Sequence, residues 1–493
     1  MNRKLEITAA LLLSSGSVVV SRATNWRRAS GPASMASSSI DSQQKGGSRM
    51  RLADLRLLFV TAALGVAALA ILVSGPGASG LRQSQAKLSP QAALDWNLIA
   101  VNTVRSATLT PTKFQPEGTL YMAYVQAAEY NAVMAISGRY APYRSSLQAI
   151  PGASPRAAVA AAAYTTLSYY FPTLAPSLVT AYNDYLNVTL AQVPEKARLA
   201  GVAVGSAAAT QLIVSRFGDG RDAPVSTAFG VAPQAPGTWV FAPPPSLQSA
   251  QTPWLANMKP FMLDTPDQFR VPAPPAITSA EYATDLNETE KMGSATSTTR
   301  TAAQTVTALF WNANVINQYN QVYRDVATSH NFDLVDTVRL MAMGNMVAAD
   351  AGIACMDSKY HYLYWRPITA IRGASLDGNA STTADPAWSP LITTPNHPEY
   401  PSAHGCVTAA VTGVLSSVLK TSDINIDVPG ATGGGTTLTT SQHFSTAQDL
   451  LENVADARVW AGLHYRFSTT AGVNLGTQVA QYDLKGNFQP TKK

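Results

Sequence analysis

Prolines crowd one internal stretch, Ala223 to Ile277, in runs such as APPPSLQ, KPFMLDTP and VPAPPA. Each proline fixes φ and removes a backbone donor, so neither a helix nor an interior strand can run through it. Any regular body must therefore form on either side, with this stretch as an extended strap between two helical halves. Its Trp, Phe and Met residues suit a segment that packs across a surface rather than a solvated linker.

On both sides of the strap apolar residues recur at helical spacing. The spacing predicts helices over Pro90–Ala107, Thr119–Ser137, Ser154–Tyr170 and Pro194–Phe217 before it. After it come Ser279–Lys291, Thr299–Ser329 and Asp333–Lys359. Ser375 to Pro401, with its Asp, Asn, Gly and Pro, reads as loop, and a helix starts near Ser402 and runs to Lys420. Thr421–Thr440 contains GATGGGTT and reads as a glycine-rich loop or small hairpin, followed by helices from about Ser445 and Thr470. With 46% apolar and only 13% charged residues, much of each helix should be buried. The fold class is all-α, two helical bundles joined by the strap. The boundaries are a leader over 1–80, an N-terminal bundle over 81–222, the strap over 223–278 and a C-terminal bundle over 279–493.

The formal charge of +5 belongs to the leader, because residues 1–56 hold nine Lys or Arg against three acids. The remainder is close to neutral, which gives no electrostatic case for a nucleic-acid partner. Leu57–Val73 is an uncharged apolar run preceded by Arg49, Arg51 and Arg56 and followed by SGPGASG, the order of a secretory signal. A secreted or periplasmic location follows, with an uncleaved membrane anchor or organelle targeting as alternatives. Cys355 and Cys406 are too few for a disulfide framework; they read as small buried residues, with a single bridge as the alternative.

Chemistry concentrates in the last third of the chain. Lys359 and Arg366 stand seven apart in KYHYLYWRP, about two helical turns, so they are expected to share one face. Pro401-Ser402-Ala403-His404-Gly405 opens a helix, where Ser402 is the expected N-cap and the following amides make an anion seat. His404 would stand beside it as an acid or base. Arg458 and His464 are six apart in RVWAGLHYRF, on a predicted helix. Taken singly these are ordinary features: snorkelling cations, a simple cap and a core histidine. Together they make three cations, an amide nest and two imidazoles, the set a tetrahedral oxyanion requires.

The three clusters resemble the signature of the vanadium-dependent haloperoxidase and type 2 phosphatidic acid phosphatase superfamily, K-x6-R-P, P-S-x-H and R-x5-H. YWRPITAIR, DPAWSPLITTPNHPEYPSAHG and the early DWNLIAVNTVR and AAEYNAVMAI segments look like its bacterial haloperoxidase-like branch. The resemblance implies vanadate as cofactor, with His464 its axial metal ligand and His404 the acid–base group that deprotonates peroxide. It implies that Lys359 hydrogen-bonds the peroxide, that Arg366 and Arg458 offset the oxygens' charge, and that Ser402 and the amide of Ala403 donate to them. Ala403 departs from the family's usual Gly. Ser468 stands where phosphatase members carry an Asp that orients the histidine. His397 matches a histidine of algal bromoperoxidases and points to bromide or iodide. The implied partners are hydrogen peroxide, a halide and an organic acceptor. The alternatives are an acid phosphatase working through a phosphohistidine and an inactive oxyanion-binding protein.

Overall fold

The computed structural model describes residues 88–491 except 107, 110–112, 226–228, 232–233, 244–247 and 433–436. The leader proposed for 1–80, with its apolar run Leu57–Val73, lies outside the described residues, as does part of the glycine-rich loop after Thr432. The described chain is helical, as expected. Five α-helices precede the strap: α1 (Gln91–Val104), α2 (Gln115–Ser137), α3 (Pro155–Tyr170), α4 (Ala175–Asp184) and α5 (Glu195–Ser215). Eight follow it: α6 (Ala280–Gly293), α7 (Ala302–Phe310), α8 (Val315–Ser329), α9 (Leu334–Tyr362), α10 (Pro367–Arg372), α11 (Ala403–Leu419), α12 (Ala447–Trp460) and α13 (Arg466–Gly486). Among the described residues the strands are β1 (Ile426–Gly430) and β2 (Thr440–Phe444), an antiparallel hairpin pairing Ile426 with Phe444.

Local chemistry sets most of these ends. Ser154 accepts from the Ala157 amide with Pro155 at the first helical position, and Thr301 with Gln304 and Thr446 with Asp449 form capping boxes. The helix predicted over Thr299–Ser329 is in fact two, because the Asn314 side chain caps the Ile316 amide and starts α8 afresh. The last helix begins at Arg466, four residues before the expected Thr470. Helix α4 escaped the pattern because only Leu178 in it is buried, which leaves no apolar stripe to detect.

Helices α2 and α9 are buried along nearly their whole length, so they form the axis around which the others pack. Helix α9 has the length and hydropathy of a membrane span, but 89% of that window lies buried inside the protein. Helix α2 packs on α3 and α9, α3 on α5, and α11 on α9 and α13. One continuous core draws residues from α1 through α13.

The strap is tied to α9 and the loops beyond it. Asp350 accepts from the amides of Phe261, Met262 and Leu263 at 2.6, 2.6 and 3.2 Å. Arg270 forks onto Asp357 with two bonds of 2.7 Å, and the Tyr362 and Tyr400 hydroxyls donate to the carbonyls of Val271 and Pro272. Its own Trp239, Met258 and Phe261 are buried.

Close contact between α11 and α13 depends on glycine. A Cβ at Gly476 would stand 2.0 Å from the Cys406 carbonyl oxygen, and one at Gly472 2.5 Å from that of Ser402. This approach brings the Ser402 amide within 3.0 Å of the Ser468 oxygen and seats the start of α11 against the start of α13.

Candidate functional site

Lys359 and Arg366 do not share a helical face, contrary to expectation. Helix α9 stops at Tyr362, Leu363 turns left-handed at φ 50°, and Pro367 keeps Arg366 extended at the start of α10. Arg458 and His464 also lie on no common helix, since α12 ends at Trp460 and Gly462 turns the chain at φ +75°. A side chain at Gly462 would meet the Gly293 carbonyl at 2.5 Å, so only glycine makes this turn against α6. The turns bring the clusters together where helical spacing would have separated them.

Arg366 is fully buried and joins three segments. Its Nε donates to the His397 carbonyl and its Nη1 to the Leu463 carbonyl, both at 2.9 Å. Nη1 also lies 3.2 Å from His464 Nε2, and Nη2 lies 2.9 Å from His397 Nδ1. Lys359, equally buried, donates from Nζ to the carbonyls of Pro398 (2.9 Å) and Glu399 (2.8 Å). Arg458 is 3% exposed; its Nη1 reaches the Trp311 carbonyl at 3.3 Å while Nε has no partner. Ser402 occupies the N-cap position of α11, as read from the sequence, but its hydroxyl caps nothing and is buried without a partner.

His397, Ala403, His404, Arg458 and His464 line a cavity of about 410 Å³; Lys359, Arg366 and Ser402 are fully buried and do not line it. The same cavity is also lined from the N-terminal half, by Arg105, Lys113, Phe114, Gln115 and Thr119. That lining was invisible in the sequence, because no motif links it to residues hundreds of positions away.

The sequence reading also missed Glu399. Its buried carboxylate lies 2.7 Å from His464 Nδ1 and 3.2 Å from the Tyr465 amide, while Ser468 Oγ stands 3.5 Å from the same Nδ1. Glu399 thus reaches the imidazole nitrogen that the missing Asp at position 468 would have served. The only signal was an acid three residues before Ser402 in PEYPS, with nothing to say where it pointed. With Nδ1–H donated to Glu399, Nε2 keeps its lone pair toward Arg366 and the cavity.

Burial sets the charge states. It holds His397, His404 and His464 well below the usual imidazole value, reinforced by Arg366 at His397 and His464 and by Arg458 at His404. All three are therefore neutral near pH 7. Burial lowers Lys359 to about 8 and raises Glu399 to about 7, the latter opposed by Lys359 and Arg366.

These residues fit a bound oxyanion. Lys359, Arg366 and Arg458 are buried and, among the described residues, none of them forms an ion pair with a carboxylate; Glu399 acts on Lys359 and Arg366 only at longer range, whereas buried charges are ordinarily paired. Ser402 Oγ, His404 Nε2 and Arg458 Nε are buried and unpartnered, the kind of gap that a ligand's oxygens fill. Among the described residues no group of three or more His, Cys, Asp or Glu is arranged to hold a bare metal cation. Vanadate, held by cations and one imidazole, needs no such group. Cys355 and Cys406 are both buried free thiols, as the small-residue reading expected.

Residues 339–489 match the family model described as the VCPO second helical-bundle domain. The vanadium chloroperoxidase of Curvularia inaequalis is 24% identical over 269 residues, 41% of this chain and 43% of that protein, so the match spans less than half of the curated relative. A bacterial vanadium-dependent iodoperoxidase superposes with a TM-score of 0.68 at 21% identity, covering 84% of this chain and all of that one. A holo-type bacterial vanadium-dependent chloroperoxidase gives 0.63 at 16%, covering 82% and 98%.

Proposed function

Since the chain belongs with the vanadium-dependent haloperoxidases in fold and in the family model of its C-terminal bundle, we propose that it is a vanadate-dependent haloperoxidase. In this reading it oxidises halide with hydrogen peroxide to hypohalous acid. The observation that carries the proposal is the cluster of three buried cations and unpartnered donors around neutral His404 and His464. Vanadate, when bound, supplies a Lewis-acidic centre that activates peroxide toward halide.

The chain's own residues then have separate tasks. Arg366, Arg458 and Lys359 offset the oxyanion's charge, and Ser402 and the Ala403 amide donate to its oxygens. His464 would hold the vanadate through Nε2, with Glu399 holding the Nδ1 proton. His404 is neutral with Nε2 bare, so it can take a proton from peroxide. His397, neutral beside Arg366 and facing the cavity, supports a preference for bromide or iodide. Export rests on the leader sequence alone.

The test is the protein loaded with orthovanadate and assayed with peroxide against iodide, bromide and chloride. Iodide and bromide oxidation is expected, and His464→Ala should abolish it. If the substituted and unsubstituted proteins oxidise halides equally, His464 is not the ligand.

A second reading is favoured by Glu399. A carboxylate on Nδ1 is what a nucleophilic imidazole requires, so an acid phosphatase working through phosphorylated His464 uses the same pair. Vanadate-free protein given a chromogenic phosphate ester, followed by phosphohistidine trapping at His464, separates the two.

A further inference from the structure

The cavity is far larger than its proposed small reactants require. About 410 Å³ lies within the range of pockets that enclose small organic molecules, roughly 300–1,000 Å³, and far exceeds what a halide ion with peroxide would fill. Phe114, Val315, Met356 and Val407 give it apolar sides that neither halide nor peroxide would use.

Two further cations line the same cavity from the N-terminal half, and they differ. Lys113 is engaged, with Nζ 2.6 Å from Glu117 and 5.3 Å from the centre of the Tyr121 ring. Arg105, just past the end of α1, has no ion pair among the described residues, and its Nε is buried without a partner. Burial alone lowers its pKa, with no carboxylate to oppose it. Arg216, Arg270 and Arg466 each have a carboxylate partner.

A half-buried guanidinium with an orphan donor in a cavity wall lacks an anion, and its fork matches the two oxygens of a carboxylate, phosphate or sulfonate. A halide would meet one edge of the fork and leave the apolar walls uncovered. We propose that this cavity binds the organic acceptor, and that it selects an acceptor whose anionic group is held by Arg105 while its apolar body lies among Phe114, Val315, Met356 and Val407. The name acceptor rests on the haloperoxidase reading; the anion selectivity does not.

The experiment uses the full chain saturated with orthovanadate, so that Lys359, Arg366 and Arg458 are occupied and cannot capture the probe. Binding of 4-hydroxyphenylacetate, 3-phenylpropionate and octanoate is compared with that of their methyl esters by calorimetry. At least one acid should bind about tenfold tighter than its ester, the size of one charge-assisted contact. Arg105→Gln should remove that difference, and Arg105→Lys should retain part of it, which guards against loss of fold. Equal binding of every acid and its ester, or a preference that survives in Arg105→Gln, overturns the proposal. Absence of halide oxidation with the acid preference intact removes the haloperoxidase reading and leaves Arg105 as an organic-anion site. Halide oxidation without the preference does the reverse.

Discussion

Arginine is buried in both halves of the described chain, with opposite consequences. In the N-terminal half Arg216 is complete: Nε meets Asp219 at 2.9 Å, Nη1 the Pro260 carbonyl at 3.0 Å, and the Tyr124 hydroxyl closes the network on Asp219. In the C-terminal half Arg366, Arg458 and Lys359 have no ion pair among the described residues, and donors nearby have no partner. A buried charge matched by the fold serves stability. A buried charge left unmatched lowers stability and is retained where a ligand completes it.

The sharpest way to break this contrast is to remove a partner in each half. Asp219→Asn should cost about 3–5 kcal/mol, seen as a lower urea midpoint, with oxyanion affinity unchanged. Arg458→Met should hold or raise the urea midpoint while oxyanion affinity falls by about 2–5 kcal/mol, read by vanadate titration. Equal destabilisation by both substitutions would remove the distinction.

Glu399→Gln is expected to weaken vanadate binding by about 10- to 100-fold, because the amide cannot stabilise charge on His464 through Nδ1. Ser468→Asp in that background should restore part of the affinity, since Ser468 Oγ already stands 3.5 Å from Nδ1. No rescue would mean that Glu399 acts through packing.

Lys359 supplies a smaller, pH-dependent effect. Burial brings it from an ordinary 10.5 down to about 8, so in the ligand-free protein it loses its charge as the pH rises through that value. Anion affinity should therefore fall with rising pH, by about tenfold between roughly pH 7 and 9, for loss of one charge-assisted bond. Sulfate, whose own charge is constant over this range, is the probe, and Lys359→Met should make the fall shallower, leaving the part due to Glu399, which burial raises to about 7. The smallest effect is expected at Ala403→Gly, within about 0.5 kcal/mol of oxyanion affinity, as for a substitution that removes no contact.

The clusters were legible because each is compact in sequence: KYHYLYWRP, PSAH and RVWAGLH carry their charged and titratable groups within a few residues. Their geometry was misread for the same reason. Helical spacing suggested a shared face for Lys359 and Arg366 and one helix for Arg458 and His464, whereas Leu363 and Gly462 break the helices and the loops make the approach. Glu399 stood in plain view, but its partner His464 lies 65 positions away. Arg105 closes the DWNLIAVNTVR segment, but nothing in that segment or in the start of α2 placed either in the cavity.

Helices, their caps and the inventory of cations and imidazoles follow from residue order, because propensity, capping and periodicity act within a few residues. Charge state and partnership do not. Neutral histidines, a lysine near 8 and an imidazole clasped by Glu399 arise from desolvation and contacts between segments far apart in the chain. Only the packing of α11, α12 and α13 on one another, and of α11 and α13 on α9, creates that environment.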